Sequence, residues 1–219
     1  SSQVSFYKDH GDLVIGAYPI EDHKMSAKQA ALREAEKKDA DLYVLLDCDT
    51  LVLDELEPIT RFDDGESRLL LCPEHGGWPH WATRSAESEW NDIYTLIDAE
   101  FPGYTMRSVF DDSPIPPYWN GGVVVTKAEI AEEWLELIRA LRQRLGSDLF
   151  YAEQLALPLL GHKYGVSPLP VEYNYPSYMY LQCPSDVSII HYSELWHLTR
   201  ILNSDITRTL DEIGAYELE

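Results

Sequence analysis

Residues 42 to 46, Leu-Tyr-Val-Leu-Leu, run without a polar break. That is the pattern of a strand covered on both faces, as in an α/β sheet, and it differs from the alternation of a one-sided antiparallel sheet. The run ends on Asp47-Cys48-Asp49. Burying unpaired charge is costly, so two carboxylates here require a strand end open to solvent or a positive partner. Side chains alternate along a strand, which predicts Asp47 and Asp49 on one face and Cys48 on the other.

Open α/β sheets bind ligands at the carboxyl ends of their strands. Two carboxylates at such a place suit a hard divalent cation, Mn2+ or Mg2+, which takes oxygen ligands and keeps open positions. The spacing by itself decides nothing, because Asp39-Ala40-Asp41 repeats it a few residues earlier in what reads as a solvated loop.

The neighbouring segments read as the rest of an α/β domain. Residues 12–18, DLVIGAY, suit a strand. SAKQAALREAEKK suits a helix opened by a Ser26-x-x-Gln29 capping box, with Ala27, Ala30, Ala31 and Ala35 as its buried stripe and Lys28 and Arg33 off it. Strand, helix and strand in succession imply a βαβ unit. LLLCP, residues 69–73, is a second short buried strand, and a Gly and aromatic loop, HGGWPHW, follows it. A helix from about Ser85 to Ala99 then presents Trp90, Ile93 and Ile97 on one side. The loop DDSPIPPYWNGG leads into the strand GVVVT. A Thr126-x-x-Glu129 box opens a helix whose Ile130, Trp134, Leu137, Ile138, Leu141 and Leu145 keep helical spacing until Gly146 stops it. Residues 147–161 predict one more helix, capped by Ser147 and disturbed at Pro158. Short strands and Tyr-rich loops close the chain.

With 219 residues the chain is long enough for one domain with a substantial core. Against 38 acids stand 17 bases, a net charge of -21. This excludes general affinity for nucleic acid or anionic membranes, which need a basic footprint, and it suits solubility at high salt. An anionic ligand would need local positive charge from a metal or a few placed bases. No run of 18 apolar residues implies a membrane span. Cys48, Cys72 and Cys183 form no C-x-x-C pair and read as buried reduced thiols, hence a cytoplasmic setting.

Two enzyme classes place D-x-D after an apolar strand. In haloacid-dehalogenase-type phosphatases the motif supplies a nucleophile and an acid with Mg2+, and Asp111-Asp112 could stand for that class's later acidic pair. Here, however, the fifth residue is Leu51 and about 46 residues precede the motif.

The other class is the nucleotide-sugar glycosyltransferases of the GT-A fold. YVLLDCDTLVLDEL resembles their metal-binding strand, WNGGVVVTK their Asn-Gly-Gly strand start, and YAEQLALP their acidic-Gln helix. VEYNYP and IIHYSELW resemble the closing elements of glycosyltransferase family 8, in the same order. The likeness covers roughly residues 12 to 198. Two departures are visible. Ser193-Glu194-Leu195-Trp196 stands where the family continues after its His with G-x-x-K-P-W, and the first nucleotide-binding strand is hard to find at the N-terminus.

The resemblance implies a GT-A domain over residues 1–219, a mixed and mostly parallel central sheet flanked by helices, with the start of the first nucleotide-binding strand missing from the chain. It implies a metal-dependent transferase that moves a sugar from a nucleotide diphosphate donor, UDP-linked, to a sugar or other hydroxyl acceptor with retention. Asp47, Asp49 and His191 would hold Mn2+ or Mg2+. Lys28, Asp47, Asn120, Gly121 and Gly122 would meet the donor, and Glu153 and Gln154 the reacting sugar. Asp111 and Asp112 are further candidates for hydroxyl contacts, and Trp78, Trp81, Tyr118 and Trp119 for stacking on sugar faces. The alternatives are the phosphatase and a non-catalytic sugar-nucleotide-binding protein. A nucleotidylyltransferase lacks its G-x-G-T-R start here.

Overall fold

In a computed structural model of the chain the described residues are 27–38, 40–74, 86–107, 112–127, 129–146, 149, 151–177, 185–192 and 197–198. The expected strand at 12–18, and with it the βαβ unit, lies outside them, as do Ser26, Trp78, Trp81, Asp111, Ser147, Cys183 and residues 193–196.

Helix α1 (Ala27–Glu36) leads to β1 (Tyr43–Leu46), and a turn then carries the chain into β2 (Thr50–Val52). After β3 (Leu69–Pro73) come α2 (Ala86–Tyr94), the two-residue strands β4 (Met106–Arg107) and β5 (Pro114–Ile115), and the long β6 (Trp119–Thr126). Helices α3 (Ala131–Leu145) and α4 (Ala152–Tyr164) follow, then β7 (Val166–Pro168), β8 (Tyr175–Pro176) and β9 (Ile189–His191).

The main sheet has the order β1-β6-β3-β7. Strand β6 pairs antiparallel with both β1 and β3, and β7 pairs parallel with β3, so three strands point one way and β6 the other. The sheet is mixed, as expected, but among the described residues two of its three pairings are antiparallel and one is parallel, because β6 lies between β1 and β3 and runs against both. Its core follows the two-residue period of a strand buried on both faces. Leu69, Leu71 and Val124 join Trp90, Trp134, Ile138 and Leu155 on the helix side. Leu70, Cys72, Val123 and Val125 join Ile59, Leu169 and Ile189 on the other. A smaller sheet, β2-β9-β8, sits beyond the end of β1.

Several local expectations are corrected. The buried face of α1 is not its alanine stripe: Ala31 is exposed and Ala30 and Ala35 half-buried, while Leu32 fills the core and Gln29 is fully buried. One leucine contributes more apolar area to the core than the small alanines do. Thr126 is the last residue of β6, and helix α3 starts only at Ala131, after Ile130. The carboxylate of Glu36, at the end of α1, instead accepts from Ile130 N at 2.7 Å and Ala131 N at 3.1 Å. Gly146 does end α3, at φ 130°. Helix α4 begins only at Ala152 and continues past Pro158 to Tyr164, held by burial of every residue from Ala152 to Leu160. Tyr118 and Trp119 are core residues, and Cys48 is exposed where a buried thiol was expected. Among the described residues no helix is long and apolar enough to cross a membrane.

Candidate functional site

The acids at the end of β1 meet because the chain turns. Strand β1 stops at Leu46, Asp47 N donates to Gly122 O at 2.9 Å, and Asp47 O accepts from both Thr50 N (3.2 Å) and Thr50 Oγ1 (2.7 Å). Asp47, Cys48 and Asp49 therefore lie in a tight turn, and the strand alternation expected of them does not apply. The turn delivers the chain into β2, whose antiparallel register sets Thr50 opposite His191 on β9. Tyr192 N donates to Asp49 O at 2.9 Å and fixes the approach.

This register brings the imidazole to the acid pair. His191 Nε2 stands 3.5 Å from Asp49 Oδ1 and 4.0 Å from Asp47 Oδ2. One ligand atom from each of Asp47, Asp49 and His191 lies within 4.8 Å of the others. Two carboxylate oxygens and an imidazole nitrogen suit Mn2+ or Mg2+, and no thiolate is among them to favour a softer ion. The hydrogen bond from His191 holds the Asp49 carboxyl below the usual range, whereas burial pushes Asp47 up against the opposing pull of Lys28.

Lys28 occupies the centre of the site. Its ammonium pairs with Asp47 Oδ1, lies 3.1 Å from Glu153 Oε1 and donates to Gly121 O at 2.9 Å. Burial by itself would lower the Lys28 pKa, but Glu153 and Asp47 outweigh it and raise the value. Glu153 is pushed up by burial, with Lys28 opposing. Its carboxylate sits in the first turn of α4, where the partial positive charge of the helix start favours an anion, and Trp134 Nε1 donates to its backbone carbonyl at 2.9 Å. Arg33 is directed elsewhere, into an exposed pair with Glu132.

Asn120, Gly121 and Gly122 open β6 beside this centre. Gly121 N donates to Gln154 Oε1 at 3.3 Å, so the start of β6 and the first turn of α4 are joined directly. At Gly122 a Cβ would overlap the His191 ring and come within 2.9 Å of Asn174 Oδ1. The absence of a side chain at 122 is therefore what admits the imidazole. Asp112 is exposed in the β4–β5 connection at φ 58°, its carbonyl accepting from Arg107 Nη1 at 3.0 Å.

Two polar residues of this centre were not singled out in the sequence. Glu74 Oε2 accepts from Asn120 Nδ2 and Gln154 Nε2, both at 2.8 Å, and Asn174 Nδ2 donates to Asn120 Oδ1 at 2.7 Å. The strand-end argument that marks Asp47 applies equally to Glu74, the first charge after the buried run LLLCP. Asn174, between two tyrosines, carries no comparable signal.

All the residues proposed for metal, donor and reacting sugar thus converge on one end of the main sheet. Residues 18–165 match the family model of the Rhodobacterales glycosyltransferase domain. The chain belongs to this family. The match takes in Lys28, the acid pair, Asn120 to Gly122, Glu153 and Gln154, and it stops short of Asn174 and His191. The phosphatase reading of Asp47-Cys48-Asp49 is thereby set aside.

No curated protein matches the chain. Among solved structures, the apo form of the glycosyltransferase GlyE of Streptococcus pneumoniae TIGR4 superposes with a TM-score of 0.52 at 16% identity, over 100% of this chain and 53% of that one. This chain therefore spans about half the length of GlyE. The galactosyltransferase LgtC in complex with donor and acceptor sugar analogs gives 0.47 at 17% identity, over 87% of this chain and 67% of that one. A glycosyltransferase involved in glycosylation of the major capsid of PBCV-1 gives 0.48 at 15%, over 84% and 78%. The fold of this glycosyltransferase domain is GT-A.

Proposed function

We propose that this glycosyltransferase moves a sugar from a nucleoside diphosphate donor, UDP-linked, to a hydroxyl acceptor with retention, as one domain over residues 1–219 that uses Mn2+ or Mg2+. The observation that carries the reading is the convergence of Asp47, Asp49 and His191, within 4.8 Å, beside Glu153 and Gln154 at the same sheet end. Lys28 holds one Asp47 oxygen, and the other faces His191 together with Asp49, so the donor set keeps an oxygen from each acid. When bound there, the ion would offset charge on the donor's diphosphate and on the leaving group. It would also answer the repulsion between an anionic donor and a chain of charge -21.

The remaining roles belong to side chains of the chain itself. Glu153 and Gln154 present oxygens where positive charge grows at the sugar carbon in an oxocarbenium-like transition state. Asn120 and Gly121 form the wall against which the sugar lies, with Gly121 letting the backbone come close. For Lys28 the geometry favours a positioning role over the expected contact with phosphate. An ammonium has three N–H donors, and the three protein oxygens around Nζ take them all.

Incubation with a panel of UDP-, GDP- and dTDP-sugars plus Mn2+, read as release of the nucleoside diphosphate, tests this reading. Release from one or more UDP-sugars that stops in EDTA is expected. Tight UDP binding without release from any sugar nucleotide would replace it with a binding role.

A further inference from the structure

One oxygen, Glu74 Oε2, accepts two side-chain hydrogen bonds, from Asn120 Nδ2 and from Gln154 Nε2, each at 2.8 Å. Glu74 directly follows β3, and its own N–H donates to Tyr118 O at 2.9 Å, which pins its backbone beside the start of β6.

The polarity of these contacts matters more than their number. A side-chain amide offers donors at one end and an acceptor at the other, and its two orientations are nearly the same in shape. An ionised carboxylate only accepts, so Glu74 admits only the NH2 ends of Asn120 and Gln154. Backbone N–H groups, which only donate, meet the opposite ends: Gly122 N reaches Asn120 Oδ1 at 2.8 Å, and Gly121 N reaches Gln154 Oε1 at 3.3 Å. Asn120 Oδ1 also takes Asn174 Nδ2 at 2.7 Å, so the sense set at Glu74 passes on to a third amide. Each amide is held between groups of fixed polarity, and the carboxylate supplies the shorter contact to Gln154.

We infer that Glu74 is a positioning residue that fixes the orientation of Asn120 and Gln154 toward the sugar donor, through hydrogen bonding and not through its charge. The inference rests on the proposed reading that those two residues face the donor. Because both bonds end on a single oxygen, a neutral amide at position 74 whose carbonyl takes that place keeps both. An apolar side chain keeps neither, and a carboxylate one methylene shorter does not reach both.

The test compares Glu74→Gln, Glu74→Leu and Glu74→Asp by two readouts. The first is the side-chain amide resonances of Asn120 and Gln154 in the 15N-labelled, ligand-free protein, assigned from Asn120→Ala and Gln154→Ala. Glu74→Leu and Glu74→Asp should move both pairs toward the shifts and exchange rates of exposed amides, and Glu74→Gln should leave them in place. The second is UDP release from UDP-glucose and UDP-galactose with Mn2+. Turnover should fall about 10- to 100-fold in Glu74→Leu and Glu74→Asp, with UDP affinity unmoved, and stay within about threefold of wild type in Glu74→Gln.

Unmoved amide resonances in a folded Glu74→Leu or Glu74→Asp protein would overturn the inference. So would equal losses in Glu74→Gln and Glu74→Leu, which would assign the effect to charge. If Glu74→Leu does not fold, Glu74→Asp carries the comparison. If the wild type releases a nucleoside diphosphate from neither sugar nor from any other sugar nucleotide, the proposed function loses its support while the amide resonances still decide the role of Glu74.

Discussion

Lys28 and Glu153 are 125 residues apart in the chain, yet Nζ of one stands 3.1 Å from Oε1 of the other, and the same ammonium also pairs with Asp47 and donates to Gly121 O. One side chain of α1 thereby ties together the end of β1, the start of β6 and the first turn of α4. Among the described residues it is the cation that faces both acids. Lys28→Met should leave Asp47 and Glu153 repelling each other in a half-buried setting and destabilise the fold by about 3 kcal/mol, toward the low end for a broken buried pair because the site is partly open to water. Urea denaturation of the metal-free protein measures it. Unchanged stability would mean that the pair is screened and contributes little.

The same contact has a pH signature. The folded Lys28 pKa lies above the ordinary lysine value of 10.5. A raised lysine pKa means that the stabilisation is fully present below the unfolded value and is lost as pH rises through the folded one. The difference in melting temperature between wild type and Lys28→Met should therefore hold steady from about pH 8 to 10 and shrink only above that. A difference that shrinks within the lower range would contradict the assignment.

Gly121 and Gly122 should respond oppositely to alanine. A Cβ at Gly121 has its nearest neighbour at 3.7 Å, an ordinary contact, whereas at Gly122 it would overlap the ring of His191. Gly122→Ala should cost about 1–3 kcal/mol as overpacking and weaken Mn2+ binding, because the imidazole must move away from Asp49. Gly121→Ala should leave Mn2+ binding intact. Calorimetric Mn2+ titration of both variants checks the contrast, and equal behaviour would show that the ring is not seated by Gly122.

Glu36 should behave as a helix cap despite lying 94 residues before Ile130. Glu36→Ala removes the acceptor for the first two N–H groups at the start of α3 and should cost about 1–2 kcal/mol, in line with the loss of a cap. A change below a few tenths in denaturant unfolding would mean that water replaces it.

These tertiary contacts mark where a reading of the chain by pattern stops. The strands β3 and β6, the acid pair and the helix that carries Glu153 and Gln154 were legible because unbroken apolar runs, paired carboxylates and helical spacing are local signals. His191 was legible as the polar residue closing an apolar run, with its likeness to a closing motif. Glu36 was not, since a cap supplied from another helix leaves no spacing in the sequence, and Thr126-x-x-Glu129 offered a local alternative that the longer β6 overrides. The facing of α1 is not legible in the sequence for a related reason. Its alanines show helical spacing, but Leu32 packs the core, and the polar Lys28 is drawn inward by Glu153 and Asp47, which come from other parts of the chain. Glu74 and Asn174 likewise take their meaning from amides that only the fold brings near.

The measurement that bears most directly on Asp47, Asp49 and His191 as the holders of a metal that receives the donor is calorimetric titration of UDP into the protein in Mn2+ and in EDTA. Binding in Mn2+ should be at least about tenfold tighter than in EDTA, a difference of about 1.4 kcal/mol, and Asp49→Asn should abolish the difference while the protein stays folded. Equal UDP affinity in Mn2+ and EDTA would contradict it.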